Sequence, residues 1–222
     1  MRIVIAALLL LPGAALAGSA FDGTWKLRPD SAKVTGKADQ FQILDGMYSC
    51  SSCVPQIKVK ADGSDQKVEG HDYYDTVAVS VISPSTIHMV RKKAGKLAAS
   101  TNYEVSTDGN TLTIKFQDYT GGQTATGTFN ETRRAAGPPG SHRASGSWQP
   151  GALQDANEAV RTYAYQMTND QFSMHWNGQS YNAKFDGKEY SVHGDPGNTI
   201  EVTDNDLIHH QITTFTLEKQ QQ

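Results

Sequence analysis

Several things are scarce in this chain of 222 residues, and each scarcity closes a route. Charged side chains make up 19%, with 20 basic against 23 acidic groups and a formal net charge of −3. No long Lys/Arg run occurs, so there is no electrostatic footprint for a phosphate backbone, and nucleic acid is excluded as a partner. Cysteine occurs twice, at Cys50 and Cys53. Beyond the first residues no apolar run approaches the roughly 20 needed to span a bilayer as a helix. Gly-x-Ser-x-Gly, a phosphate loop, a dinucleotide fingerprint and a spaced carboxylate ligand set are all missing, which removes the motif support for most familiar enzyme classes, cofactors and metal centres. Thr, Ser, Gln, Asn and Gly fill the gap left by charge, a composition suited to two-faced β-sheet.

The apolar run that does exist is at the start. Met1-Arg2 gives a positive opening, Ile3 to Leu11 is continuously apolar, and Ala15-Leu16-Ala17 places small residues where a signal peptidase needs them. Residues 1–17 are therefore expected to be a signal peptide, cleaved after Ala17 or, at a second small-residue site, after Ala20. The mature protein is expected to be periplasmic or secreted.

Alternation dominates the remainder. Ile57-Lys58-Val59-Lys60, the Val77/Val79/Val81 series and the Leu112/Ile114/Phe116 series each put apolar side chains on one face of a strand. Asp62-Gly63, Asp108-Gly109, Asn177-Gly178 and Asp186-Gly187 separate such runs and favour the positive-φ turns of antiparallel hairpins. Only Gln154 to Tyr165 admits a helical turn. The fold class expected is all-β, an antiparallel meander forming a lipocalin-like barrel or sandwich. The chain also matches itself: Gly23-Thr24-Trp25 with Gly146-Ser147-Trp148, Lys60-x-Asp62-Gly63 with Lys184-x-Asp186-Gly187, Val68-x-Gly70 with Val192-x-Gly194, and Ile87-His88 with Ile208-His209, at offsets of 121–124 residues. These matches read as a duplicated unit, with a first β-unit at 18–134, a Gly/Pro-rich linker at 135–145 and a shorter second β-unit at 146–222. The shorter unit leaves a sheet edge that a second copy could cover, making a homodimer.

Phe21-Asp22-Gly23-Thr24-Trp25-Lys26-Leu27 resembles the first strand of the calycin group, the lipocalins and fatty-acid-binding proteins, in which Gly-x-Trp opens an antiparallel barrel. In that group an Arg from the last strand lies over the Trp ring, and the resemblance implies that role for Arg133 or Arg134, with Trp25 and Trp148 as structural anchors. A longer resemblance is to a family of exported proteobacterial proteins of unknown function. They combine a Gly-Thr-Trp-Lys start, a Cys-x-x-Cys segment like Cys50-Ser51-Ser52-Cys53, and a Gly-His-x-Tyr-Tyr-Asp segment like Gly70 to Asp75.

Candidate chemistry is confined to a few places. In an oxidising compartment an even cysteine pair closes, so Cys50 and Cys53 are expected as a disulfide and not as a metal or redox pair. His71, Tyr73 and Tyr74 gather an imidazole and two phenols beside Asp75. His210 shares a strand face with Ile208 and Ile212, and the internal match aligns it with Met89. Trp176 shares a face with Phe172 and Met174. Together His71, Tyr73, Tyr74, Met89, Trp176 and His210 are the expected lining of a site for a small apolar or amphipathic molecule. The preferred reading is a non-enzymatic binding protein without cofactor; the alternatives are an envelope interaction module and a metal-independent lyase or isomerase using His71, Tyr74 or His210.

Overall fold

The computed structural model describes residues 19–28, 33–34, 37–168, 170–186, 188–191, 193, 199–202, 207–208, 213–214 and 217–220. His210 lies outside them. In chain order the strands are β1 (Gly23–Leu27), β2 (Lys33–Val34), β3 (Asp39–Leu44), β4 (Met47–Cys50), β5 (Ile57–Lys60), β6 (Gln66–Lys67), β7 (Thr76–Ser83), β8 (Thr86–Lys93), β9 (Lys96–Val105), β10 (Thr111–Asp118), β11 (Ala125–Ala136), β12 (Gly146–Gln149) and β13 (Leu153–Ala156). A single helical turn, α1 (Glu158–Arg161), leads into β14 (Thr162–Thr168), β15 (Gln171–Trp176) and β16 (Gln179–Lys184). The last strands are β17 (Glu189–Ser191), β18 (Thr199–Val202), β19 (Leu207–Ile208), β20 (Thr213–Thr214) and β21 (Leu217–Lys219).

The chain is all-β, as its alternation requires. Ten strands in the order β5-β4-β3-β12-β11-β10-β9-β8-β7-β6 form an antiparallel, nearly closed barrel, with β13 added beside β11. A second antiparallel sheet runs β16-β15-β14-β1-β21. Tight two-residue turns at Asp45-Gly46, Ala94-Gly95 and Asn177-Gly178 have positive φ at both positions, the mirror-image geometry whose twist matches that of paired strands. At the barrel's seam the ladder is replaced by a side chain. The Gln66 amide on β6 accepts from Lys60 N at 3.0 Å and donates to Lys60 O at 3.0 Å, and just beyond it Gly63 N donates to Val79 O at 2.8 Å.

Sheet membership does not follow the order of the sequence units. β1, carrying the first Gly-x-Trp, pairs with β14 and β21 in the second sheet, while β12, carrying the second, sits between β11 and β3 in the barrel. The two Gly-x-Trp segments nonetheless share a local geometry. Trp25 Nε1 donates to Phe21 O at 2.8 Å and Trp148 Nε1 to Ala144 O at 2.9 Å, each four residues back. Gly23 and Gly146 both have positive φ, and a Cβ on Gly146 would lie 2.2 Å from Ala135 O, so no larger residue fits there.

The barrel is filled by the side chains that alternation points inward: Phe41, Ile43, Tyr48, Ile57, Val59, Val77, Val79, Ile87, Met89, Val105, Leu112 and Trp148 are all buried. One end is capped. Arg143 donates to Ser106 O and Thr107 O, and His142 accepts from Ala144 N at Nδ1 and donates from Nε2 to Ser83 O, which fixes its tautomer. The guanidinium of Arg133 lies over the Trp148 ring with Cζ 3.9 Å from its centroid and donates to Gly109 O, Ser145 O and Arg143 O. The arginine-over-indole contact expected at Trp25 is thus made at Trp148, because Arg133 and Trp148 are register partners on neighbouring strands. Arg134 points outward, its Nη2 3.3 Å from Gln149 Oε1. A smaller cluster of Leu27, Leu153 and Ala156 with Phe116, Phe129 and Tyr163 joins the barrel to the second sheet.

Candidate ligand-binding site

Loops 51–56 and 68–75 lie at the barrel end opposite that cap, and the two singled-out motifs meet there. Cys50 and Cys53 form a disulfide that ties off the β4–β5 loop. A Cβ on Gly70, whose φ is +75°, would come within 2.7 Å of Pro55 Cγ, so the clipped loop packs directly against the Gly70-His71 backbone. Lys93 Nζ donates to His71 O at 3.4 Å, and Asp75 accepts from Ala94 N at 2.8 Å, which ties the same loop to the β8–β9 turn.

Beneath these loops lies a cation that the sequence reading missed. Arg91 on β8 reaches into the barrel, where it hydrogen-bonds with the phenols of Tyr103 and Tyr74, and its Cζ stands 5.4 Å from the Tyr74 ring centroid. Burial works against its charge, and the surrounding phenols of Tyr103, Tyr74 and Tyr48 more than offset this, leaving its pKa above the ordinary value. The Tyr48 and Tyr74 phenols are neutral at physiological pH. Burial drives the Tyr48 hydroxyl well above its usual range, and burial raises Tyr74 also, against the opposing pull of Arg91. Among the described residues no carboxylate forms an ion pair with Arg91, and its Nε, though buried, has no hydrogen-bond partner. The interior therefore carries a guanidinium whose charge is met only by dipoles.

His71 stacks on Tyr74 with centroids 4.5 Å apart and planes inclined by 18°. Burial first, and the Arg91 charge second, lower its pKa, so the ring is neutral at pH 7. Its buried Nε2 has no partner.

A second polar feature sits on the β3 and β11 walls. Glu131 is only 5% exposed and hydrogen-bonds with Asp39. Burial, then the charge of Asp39, then their hydrogen bond raise the Glu131 pKa to about 8, so Glu131 keeps its proton at neutral pH. Asp39 also lies 3.5 Å from Ser52 Oγ in the disulfide loop.

Of the expected lining, His71, Tyr74 and Met89 are brought together in or at the barrel, Met89 being 1% exposed. Tyr73 is half-buried beside them in the chain. Trp176 is elsewhere: it packs with Phe172, Met174 and Tyr181 in the core of the second sheet. Arg91 and Glu131 were legible in principle, since Ile87, Met89 and Arg91 share one parity on β8 and Glu131 shares that of Phe129 on β11. Among the described residues no three His, Cys, Asp or Glu side chains converge as a metal would require, and no helix is long and apolar enough to cross a membrane.

No family model, no curated protein and no solved structure matches this chain.

Proposed function

We propose that this protein is an exported binding protein that takes a small amphipathic molecule at the mouth of its barrel, with an anionic head at Arg91 and an apolar body among the side chains of loops 51–56 and 68–75. One observation carries the reading. A buried guanidinium with no carboxylate partner is costly to keep, whereas an incoming carboxylate supplies both the missing charge and acceptors for the unpartnered Nε. Tyr74 and His71, at the mouth, close over such a ligand. The disulfide is the chemistry of an oxidising compartment and agrees with export.

The test is a comparison of dodecanoate with dodecanol, which differ only in the head group, in wild type and Arg91→Met. Wild type should prefer dodecanoate by about tenfold or more, the usual worth of a charge-assisted contact. Arg91→Met should lose that preference and keep or gain thermal stability, because an apolar side chain replaces an uncompensated charge. Failure of wild type to bind either compound refutes the reading. Native mass spectrometry of protein from its own host then identifies the copurified molecule.

A further inference from the structure

Away from the barrel mouth, a cleft opens between the β10–β11 loop and the second sheet. Its volume is about 690 Å³, within the ~300–1,000 Å³ common to small-molecule sites. The sheet supplies the floor. Register sets Thr24 beside Ala164, Ala164 beside His175 and His175 beside Ser180, so these four side chains share one face across β1, β14, β15 and β16, opposite the face that packs Phe172, Met174 and Tyr181. Two interlocked turns form a wall. Gly122 N donates to Asn177 O at 2.7 Å, and the Asn177 carboxamide accepts from Gln123 N at 2.9 Å and donates to Gln123 O at 3.0 Å. The turns approach so closely that a Cβ on Gly121 would stand 2.2 Å from Asn177 Nδ2, and one on Gly178 2.7 Å from Gly122 N. The cleft is therefore held open by a fixed joint between barrel and sheet. Trp176 and Gln179, register partners beside the same turn, complete that side, and α1 contributes Glu158.

The chemistry of this lining is polar and already neutralised. Glu158 Oε2 meets Lys26 Nζ at 2.9 Å and accepts from Thr162 Oγ1 at 2.9 Å, and among the described residues no Lys or Arg lines the cleft. Neither an anionic nor a cationic ligand finds an unmatched charge there. An alkyl chain fits no better, because the floor is Thr, Ala, His and Ser. Among the described residues the side chains of Thr24, Gln123, His175, Gln179 and Ser180 make no hydrogen bond within the chain. Hydroxyl and carboxamide groups each donate and accept, so they suit a ligand whose own groups do both without carrying charge. Sugar hydroxyls have that property. The small floor side chains leave room for a ring, and Trp176 adds an apolar surface at the side. We infer that this cleft is a binding site for a short neutral oligosaccharide, with Thr24, His175 and Ser180 beneath the sugar and Gln123 and Gln179 hydrogen-bonding its hydroxyls. The cleft shares no residue with the barrel mouth, so the inference does not depend on the ligand proposed there.

The experiment titrates the whole protein with maltotriose, cellotriose, xylotriose and chitotriose by calorimetry and saturation-transfer NMR, with trigalacturonate as the charged control. At least one neutral trisaccharide should bind in the millimolar range or tighter, and better than trigalacturonate. His175 is exposed and Gln179 half-buried, so His175→Ala and Gln179→Ala should leave the melting temperature unchanged. Each should weaken that sugar by about three- to tenfold, the usual worth of a neutral hydrogen bond. Arg91→Met, which alters only the mouth, should leave sugar affinity unchanged. Three results overturn the inference: none of the four neutral sugars binds, trigalacturonate is preferred, or sugar affinity ignores both His175→Ala and Gln179→Ala. The dodecanoate comparison stands or falls separately from all three.

Discussion

Replacing Glu131 with Gln separates a buried proton from everything else that titrates in this protein. In the folded chain the Glu131 carboxyl ionises near pH 8, against 4.5 for the ordinary group, because it is buried and faces Asp39. The sign follows from proton counting. Between those two values the folded state holds a proton that the unfolded state has released, so stability is greatest at low pH and is lost as pH rises through the window. Each full proton of difference is worth about 1.4 kcal/mol per pH unit, so between pH 5 and 7.5 wild type should lose up to about 3 kcal/mol that Glu131→Gln does not. His71 titrates in the opposite sense, its lowered pKa making the fold gain stability as pH rises toward and through the ordinary imidazole value, but it is present in both proteins and cancels in the difference. Urea unfolding at pH 5, 6, 7 and 7.5 gives the two curves, with the slope against urea checked for constancy so that only stability is compared. The difference should widen steadily in favour of Glu131→Gln as pH rises. A difference that stays flat means that Glu131 holds no proton in the folded chain, and refutes the burial argument.

Trp148→Ala should cost about 3–5 kcal/mol, the range for a fully buried large aromatic, and Trp25→Ala clearly less, because Trp25 is only half-buried; thermal melts of both decide the order. Gln66→Ala removes the amide that spans the seam between β5 and β6, and hydrogen exchange at Lys60 and Gly63 should accelerate while the amides of β9 and β10 stay protected. Changing both Cys50 and Cys53 to Ser should cost about 2 kcal/mol on the loop-entropy estimate, since the closed loop is very short; a far larger loss would show that the clip also sets the packing of Pro55 on Gly70.

What the sequence determined by itself is what a period of two and a few turn dipeptides can encode. Inward Val77, Val79, Ile87, Met89 and Leu112, the hairpin at Asn177-Gly178 and the single helical turn before Tyr163 all follow from local pattern, and the all-β class follows from them. The cysteine pair, three positions apart, needed only an oxidising setting to close. Turns at Asp45-Gly46 and Ala94-Gly95 escaped notice, the latter because a left-handed Ala has no local signal and is held by Asp75 from another loop. Partner choice between strands was decided by tertiary structure alone. Gly-x-Trp is the same local geometry twice, and nothing within seven residues of Trp25 or Trp148 says that the first joins the second sheet and the second the barrel. That exchange moves Arg133 onto Trp148. The polar interior was decided the same way: Arg91, Tyr48, Tyr74 and Tyr103 come from three strands and a loop, and Asp39 meets Glu131 across 92 positions of chain, so the charge each one faces is set by the closed barrel and not by its neighbours in sequence.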